Sequence, residues 1–283
     1  MVIVDGLKKQ YGDFQLDLSL EIPDGRVTGI IGKNGAGKST TIKAILGLIK
    51  PDAGTVTING RETSCLEAKD KENIGACLSD SGFSMYLNVE DIIHILKKMY
   101  SSFDESSFRS FCTSQGLPLK KQIKDFSTGM RAKLRVISAI THRADLLVMD
   151  EPTSGLDVEA RIEILDMLRD YISRNENCSI IMTSHISTDL EGLCDDIYLI
   201  HDGKVIVHED TEVIKERYAV LRMDEETFEK LDKSHILRSR KERDGFTCFT
   251  DQKQFYVDMY PDIRIENGTI DDLILMMAGG EKR

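Results

Sequence analysis

No stretch of the 283-residue sequence approaches the roughly 20 consecutive apolar residues that span a bilayer, so action at a membrane would need a partner to supply the span. The opening MVIVDGLKKQYGD lacks the basic-then-apolar pattern of a signal peptide. Cysteines are few and scattered, at 65, 77, 112, 178, 194 and 248, with no Cys-x-x-Cys pair and no matching His spacing, and they read as reduced cytosolic thiols. Basic residues are outnumbered, 37 Lys and Arg against 48 Asp and Glu, for a formal net charge of -11. That balance argues against a general nucleic-acid binder, and none is expected as a partner. Internal repeats, low-complexity segments and long heptad runs are also absent.

What is present is ordinary globular material, 41% apolar and 30% charged, enough for one large or two modest domains. Alternation over Val2 to Ile22 predicts two or three antiparallel strands, and Val27 to Ile31 a further strand. A helix is expected over Ser39 to Leu48, then a hairpin over Gly54 to Arg61 turning at Asn59-Gly60, and a strand near Ile74 to Leu78. Helical periodicity dominates residues 88 to 142. Two continuous apolar runs, Asp145 to Met149 and Ser179 to Thr183, flank an amphipathic helix over Val158 to Arg174, which is a β-α-β unit. Asp202-Gly203 then marks another hairpin. Beyond about Arg217 the texture changes to short charged elements, a small α+β appendage in which KERDG reads as a solvated hairpin tip.

The stretch Arg26 to Thr41, RVTGIIGKNGAGKSTT, carries G-x-x-x-x-G-K-[ST] at Gly32, Gly37, Lys38 and Ser39, with Gly35 as an added glycine. Glycines there let successive backbone N–H groups converge on one anion, and the helix beginning near Lys38 aims its positive dipole end at the same point. This is a phosphate-binding loop, in which the segment Gly32, Lys33, Asn34, Gly35, Ala36, Gly37, Lys38, Ser39 and Thr40 would surround a nucleotide. Lys38 would reach the β- and γ-phosphates of ATP, and the Ser39 hydroxyl would ligate Mg²⁺. Tyr11 reads either as a half-buried strand aromatic or, given the loop, as a stacking platform for adenine.

A second motif, LLVMDE, ends an apolar strand with two acids. Asp150 could hold Mg²⁺ opposite Ser39, and Glu151 is then placed as general base for the attacking water. Surface acids capping a strand are the plainer alternative. His185 closes SIIMTSH at another strand end, where it could contact the γ-phosphate or orient water; His142, His201 and His208 lack such a context and read as surface or packing residues.

The order Tyr11, GKNGAGKST, FSTGM, LLVMDEPTSGLD and TSH resembles the nucleotide-binding subunit of ATP-binding cassette transporters over about residues 2 to 215. The resemblance implies an α/β fold: a P-loop NTPase core sheet, an antiparallel β subdomain and a helical subdomain (about 88–142) within residues 1–215, with residues 216–283 as an accessory α+β region. It implies two cassettes, identical or related, sandwiching two ATP molecules, so that Ser127 and Gly129 of the Phe126–Met130 signature contact the γ-phosphate across the dimer. Ser154 to Asp157 match the loop that couples the two sites, and His185 the switch histidine. Thr128 and Met130 depart from the strict signature. Ser79 falls where that family carries a glutamine contacting Mg²⁺ and the attacking water; a serine is too short to do the same directly, which leaves metal contact there open, with a water or Asp80 to stand in.

The function implied is an ATPase on the cytoplasmic face of the cell membrane that drives a separate permease. The look-alikes favour export of peptide or antibiotic-related substrates. A soluble cassette ATPase regulating ribosomes, DNA or protein complexes is the alternative, and a cassette that senses ATP without turning it over is a third.

Overall fold

Alternating apolar residues produce β1 (Val2–Tyr11) and β2 (Phe14–Ile22), which pair antiparallel before β3 (Val27–Ile31) enters the interior with every residue buried. The computed structural model describes residues 1–142 and 144–279. After β3 come α1 (Lys38–Ile45), β4 (Ala53–Ile58) and β5 (Arg61–Glu62), a short α2 (Ala68–Lys71) and β6 (Ile74–Cys77). The hairpin between β4 and β5 turns on Asn59 and Gly60 at φ 51° and 76°, the mirror-image geometry that Asn-Gly favours. α1 stops three residues earlier than its apolar pattern suggests, because Gly47 adopts φ 65° and its N–H bonds back to Ala44, a left-handed helix end.

Three helices follow: α3 (Val89–Met99), α4 (Glu105–Ser114) and α5 (Thr128–Ile140). Asn88 starts α3 with a reciprocal cap, its Oδ1 accepting from Asp91 N–H while Asp91 Oδ2 accepts from Asn88 N–H, each at 3.0 Å. β7 (Leu146–Asp150), α6 (Val158–Arg174) and β8 (Ser179–Ser184) form the β-α-β unit, and α7 (Ser187–Glu191), β9 (Asp196–His201), β10 (Lys204–Asp210) and α8 (Thr211–Arg217) complete this part.

These strands make two sheets. One is antiparallel, β2-β1-β4-β5; the other runs β10-β9-β3-β8-β7-β6 and is parallel except for β10. Side chains of the parallel strands alternate strictly between two cores. Ile31, Leu147, Met149, Ile180, Met182 and Ile197 face the helical side with α3 to α6, whereas Ile30, Val148, Ile181 and Ile200 meet α1 and the antiparallel sheet. Both faces being covered explains why these strands read as unbroken apolar runs.

A third sheet, β12-β13-β11-β14, is built by β11 (Ala219–Met223), α9 (Glu225–Lys230), β12 (Ile236–Glu242), β13 (Gly245–Thr250), α10 (Lys253–Met259), β14 (Arg264–Asn267) and α11 (Ile270–Gly279). Its Leu221, Cys248 and Tyr256 form a small core of their own, but Val220 and Phe249, on the opposite face, join the larger core together with Ile270, Leu273 and Met276 of α11.

Candidate functional site

The carboxyl ends of β3, β7 and β8 lie side by side, with β8 between the other two. From β3 the chain enters the glycine loop. A Cβ at Gly32 would sit 2.3 Å from the carbonyl oxygen of Ile200, and Gly37 takes φ 114° with Leu16 pressed against it, so neither position tolerates a side chain. The β9–β10 turn braces the loop from outside, Gly203 N–H donating to Ala36 C=O at 3.1 Å. At the loop's centre lies the buried Lys38 ammonium, 2.8 Å from the Gly32 carbonyl and 3.6 Å from Glu151 Oε1.

Asp150 ends β7 in register with Thr183 of β8. Its residue is 1% exposed, and three hydroxyls surround the carboxylate: Thr183 donates to Oδ1 at 2.7 Å, Ser39 to Oδ1 at 3.3 Å and Ser79 to Oδ2 at 2.8 Å. An all-oxygen donor set of one carboxylate and nearby hydroxyls fits a hard cation such as Mg²⁺, which takes the rest of its shell from phosphate and water. No group of three or more His, Cys, Asp or Glu among the described residues is arranged to hold a metal ion.

Glu151 follows with φ 52°, a left-handed conformation unusual for a side-chain-bearing residue and worth of order 1–3 kcal/mol of strain. It is held there by its N–H, which reaches both the carbonyl (3.2 Å) and hydroxyl (2.9 Å) of Thr183. The turn swings the carboxylate over the loop, where Oε2 is hydrogen-bonded to His185 Nδ1 and Oε1 faces Lys38. The structure thus brings together Lys38, Ser39, Ser79, Asp150, Glu151 and His185. Tyr11, at the end of β1, is 48% exposed with the Lys9 ammonium 5.6 Å from its ring centre.

Ser127, Gly129 and Asp157 form a separate group. Ser127 Oγ accepts from Met130 N–H at 3.1 Å and caps α5, while Asp157 Oδ1 accepts from Ala160 N–H at 2.9 Å and caps α6. The two helix starts flank one concavity of about 620 Å³.

Two positioning residues have no motif. Thr183 is one in the sense that the TSH run containing it assigns a role to His185 alone. Asp189 is the other: fully buried, it accepts from Thr153 Oγ1 and Arg161 Nε, both at 2.6 Å, and so ties the loop after Glu151 to α6 and α7. A charged residue inside STDLEGL gives no hint of that burial.

A family model for ABC transporters matches residues 16–154. The chain is similar to the lantibiotic transport ATP-binding protein SrtF of Streptococcus pyogenes, 31% identical over 214 residues that make up 74% of this chain and 91% of that protein. It is also similar to the bacitracin transport ATP-binding protein BcrA of Bacillus licheniformis, 32% identical over 215 residues, 75% of this chain and 70% of the relative. Among solved structures, an ATP-binding subunit of an ABC transporter is 25% identical, with a TM-score of 0.66 over 76% of this chain and 92% of its own. With such identity sustained over most of both chains, and the fold shared, the chain belongs to the ABC transporter family, as one of its ATP-binding, ATP-hydrolysing subunits.

Proposed function

We propose that the chain dimerises on Mg-ATP with a second cassette and powers a separate membrane permease that exports a peptide or antibiotic-related substrate. The observation that carries the hydrolytic half is the Glu151 carboxylate, turned over the phosphate loop between Lys38 and His185. In this reading the loop amides and Lys38 hold the β- and γ-phosphates, and Tyr11 stacks on adenine. Ser39 and Asp150 hold Mg²⁺, which supplies charge neutralisation on the phosphate oxygens when bound. Glu151 takes a proton from the attacking water, and His185, hydrogen-bonded to it, orients that carboxylate and senses the γ-phosphate. Catalysis here is chiefly positioning and charge stabilisation.

The dimer is supported by the second group of residues. Ser127 and Gly129 stand at the N-terminus of a 13-residue helix, whose free amides would meet the γ-phosphate bound by the other cassette, with Asp157 alongside. For the permease, support comes from the names of the relatives and from a cleft of about 310 Å³. Phe83, Met85 and Ile123 give it an apolar floor and Arg131 and Arg135 a charged rim, which suits the end of a short helix. No helix among the described residues is long and apolar enough to cross a membrane, so the span would come from that partner. Residues 1–215 act as the cassette and 216–283 as its accessory region.

The test is a pull-down of tagged Glu151→Gln chain with Mg-ATP from detergent-solubilised membranes of the native host. An integral membrane protein recovered in stoichiometric amount is the expected result. Recovery of soluble ribosomal or DNA-associated partners alone would replace the transporter reading with that of a regulator.

A further inference from the structure

We propose that Ser79 is a positioning residue for Asp150: its hydrogen bond fixes which carboxylate oxygen turns toward Ser39, and it thereby sets the strength of Mg²⁺ binding without touching the metal. The inference rests on the reading of Ser39 and Asp150 as the metal-holding pair.

The two oxygens of Asp150 have different surroundings. Oδ1 faces Thr183 and Ser39; Oδ2 accepts from Ser79 Oγ at 2.8 Å. A carboxylate turns easily about its last bond, so within this buried site its orientation is decided by the hydroxyls that donate to it. Ser79 spends its single proton on Oδ2, which leaves Oδ1 directed to the side where Ser39 stands. Removing that donor leaves a buried charged oxygen short of a partner and the orientation of the carboxylate to the donors on Oδ1 alone.

Ser79 is itself held on both sides. Its neighbour Asp80 is paired with Lys43 at 2.6 Å, and Lys43 belongs to α1, the helix that begins with Lys38 and Ser39. Arg135 of α5 places a guanidinium nitrogen 3.4 Å from the carbonyl of Leu78 and 3.5 Å from that of Ser79. The pairing with Lys43 occupies Asp80, so of the two side chains it is the serine that reaches the site. Serine is short, yet it spans the distance to a carboxylate oxygen, and an outer partner of a metal-holding carboxylate typically governs metal affinity by tenfold or more.

The experiment measures equilibrium binding of a fluorescent ADP analogue to the full chain, first in EDTA and then across a Mg²⁺ titration, so that no turnover is involved. Ser79→Ala is expected to bind the analogue in EDTA within twofold of wild type, while the Mg²⁺ concentration at half-maximal tightening rises about tenfold. Ser79→Thr, which keeps the hydroxyl, is expected to titrate within twofold of wild type. If Ser79→Ala titrates like wild type while Asp150→Asn loses the Mg²⁺ response, the positioning role is overturned and the metal site stands. If Asp150→Asn also titrates like wild type, the metal site and this inference fall together. An equal loss in EDTA for Ser79→Ala, or a Ser79→Thr variant as impaired as Ser79→Ala, overturns the inference by making the effect one of general structure.

Discussion

Thr183 Oγ1 donates a 2.7 Å hydrogen bond to Asp150 Oδ1 and accepts one of 2.9 Å from Glu151 N–H, so one fully buried hydroxyl positions both acids at the end of β7. Valine has the same shape and neither capacity. Thr183→Val is therefore expected to lower stability by about 1–3 kcal/mol, a fall of roughly 2–4 °C in unfolding midpoint for each kcal/mol, and to cut turnover at least tenfold. Thermal unfolding and steady-state ATP hydrolysis check this together. Wild-type values in both would mean that the hydroxyl is idle.

Glu151→Gln keeps the shape of the side chain and removes its ability to take a proton. It also removes the negative charge 3.6 Å from Lys38, which in the proposed reading is a competitor to phosphate for that ammonium. Turnover should fall about 10²- to 10⁴-fold while ATP affinity is retained or improved. Parallel measurement of kcat and of ATP Kd decides it, and unchanged steady-state hydrolysis would remove Glu151 from its role.

Asp189 is reached by Thr153 and Arg161 and has no exposure to solvent. Cutting it to alanine strands the Arg161 charge and frees the loop after Glu151. Breaking such a buried pair generally costs about 3–5 kcal/mol, and the partial exposure of Arg161 favours the lower end. Urea unfolding of Asp189→Ala measures the loss, and hydrogen exchange across residues 152–157 should rise with it. Exchange at the wild-type rate would show that the loop is held by something else.

Much of this arrangement was legible because it is local. Gly32, Gly37, Lys38 and Ser39 lie within eight positions, and Asp150 with Glu151 end an apolar run that can only be a buried strand. Hairpins at Asn59-Gly60 and Asp202-Gly203 follow from residues that accept positive φ. What could not be read depends on strand order. Thr183 serves Asp150 because β8 lies beside β7, and Ser79 reaches the same carboxylate from the loop after β6, relations that no spacing encodes. β14 has no signature of its own, because it is four residues long and only Ile265 among them is an apolar residue that packs on the small C-terminal core. The departure at Ser79 is visible in the sequence only as a missing glutamine; in the fold its hydroxyl donates to Asp150 Oδ2.

His142 supplies a pH dependence of stability. Its ring is buried, stacked 3.9 Å from Tyr100, with Nε2 3.3 Å from the Ile74 carbonyl and the Ser138 carbonyl also close to the ring. Burial lowers its pKa from the usual 6.5 despite the carbonyl contacts that favour the charged ring. The unfolded chain then binds the proton first as pH falls, so the contribution is fully present above 6.5 and is lost as pH drops through and below that value. Denaturant unfolding at pH 7.5 and 5.5 should show a larger loss for wild type than for His142→Phe, which keeps the stack without the charge. Equal losses would assign the dependence to other groups.

The C-terminal sheet is joined to the cassette by more than a linker. Ile270, Leu273 and Met276 of α11 share one core with Leu190 of α7 and Cys194 just after it, and Ile270 N–H donates to Glu191 Oε1 at 2.9 Å. Leu273 has no solvent exposure, and truncating such a leucine to alanine destabilises by about 2–5 kcal/mol. Because the cavity opens in a core that both parts line, the loss should be felt by the whole chain. Leu273→Ala is expected to unfold in a single transition at lower denaturant, with the midpoint still raised by Mg-ATP. If two transitions appeared and nucleotide moved only the later one, the C-terminal sheet would be an independent unit, and α11 a strap resting on the cassette without being part of its core.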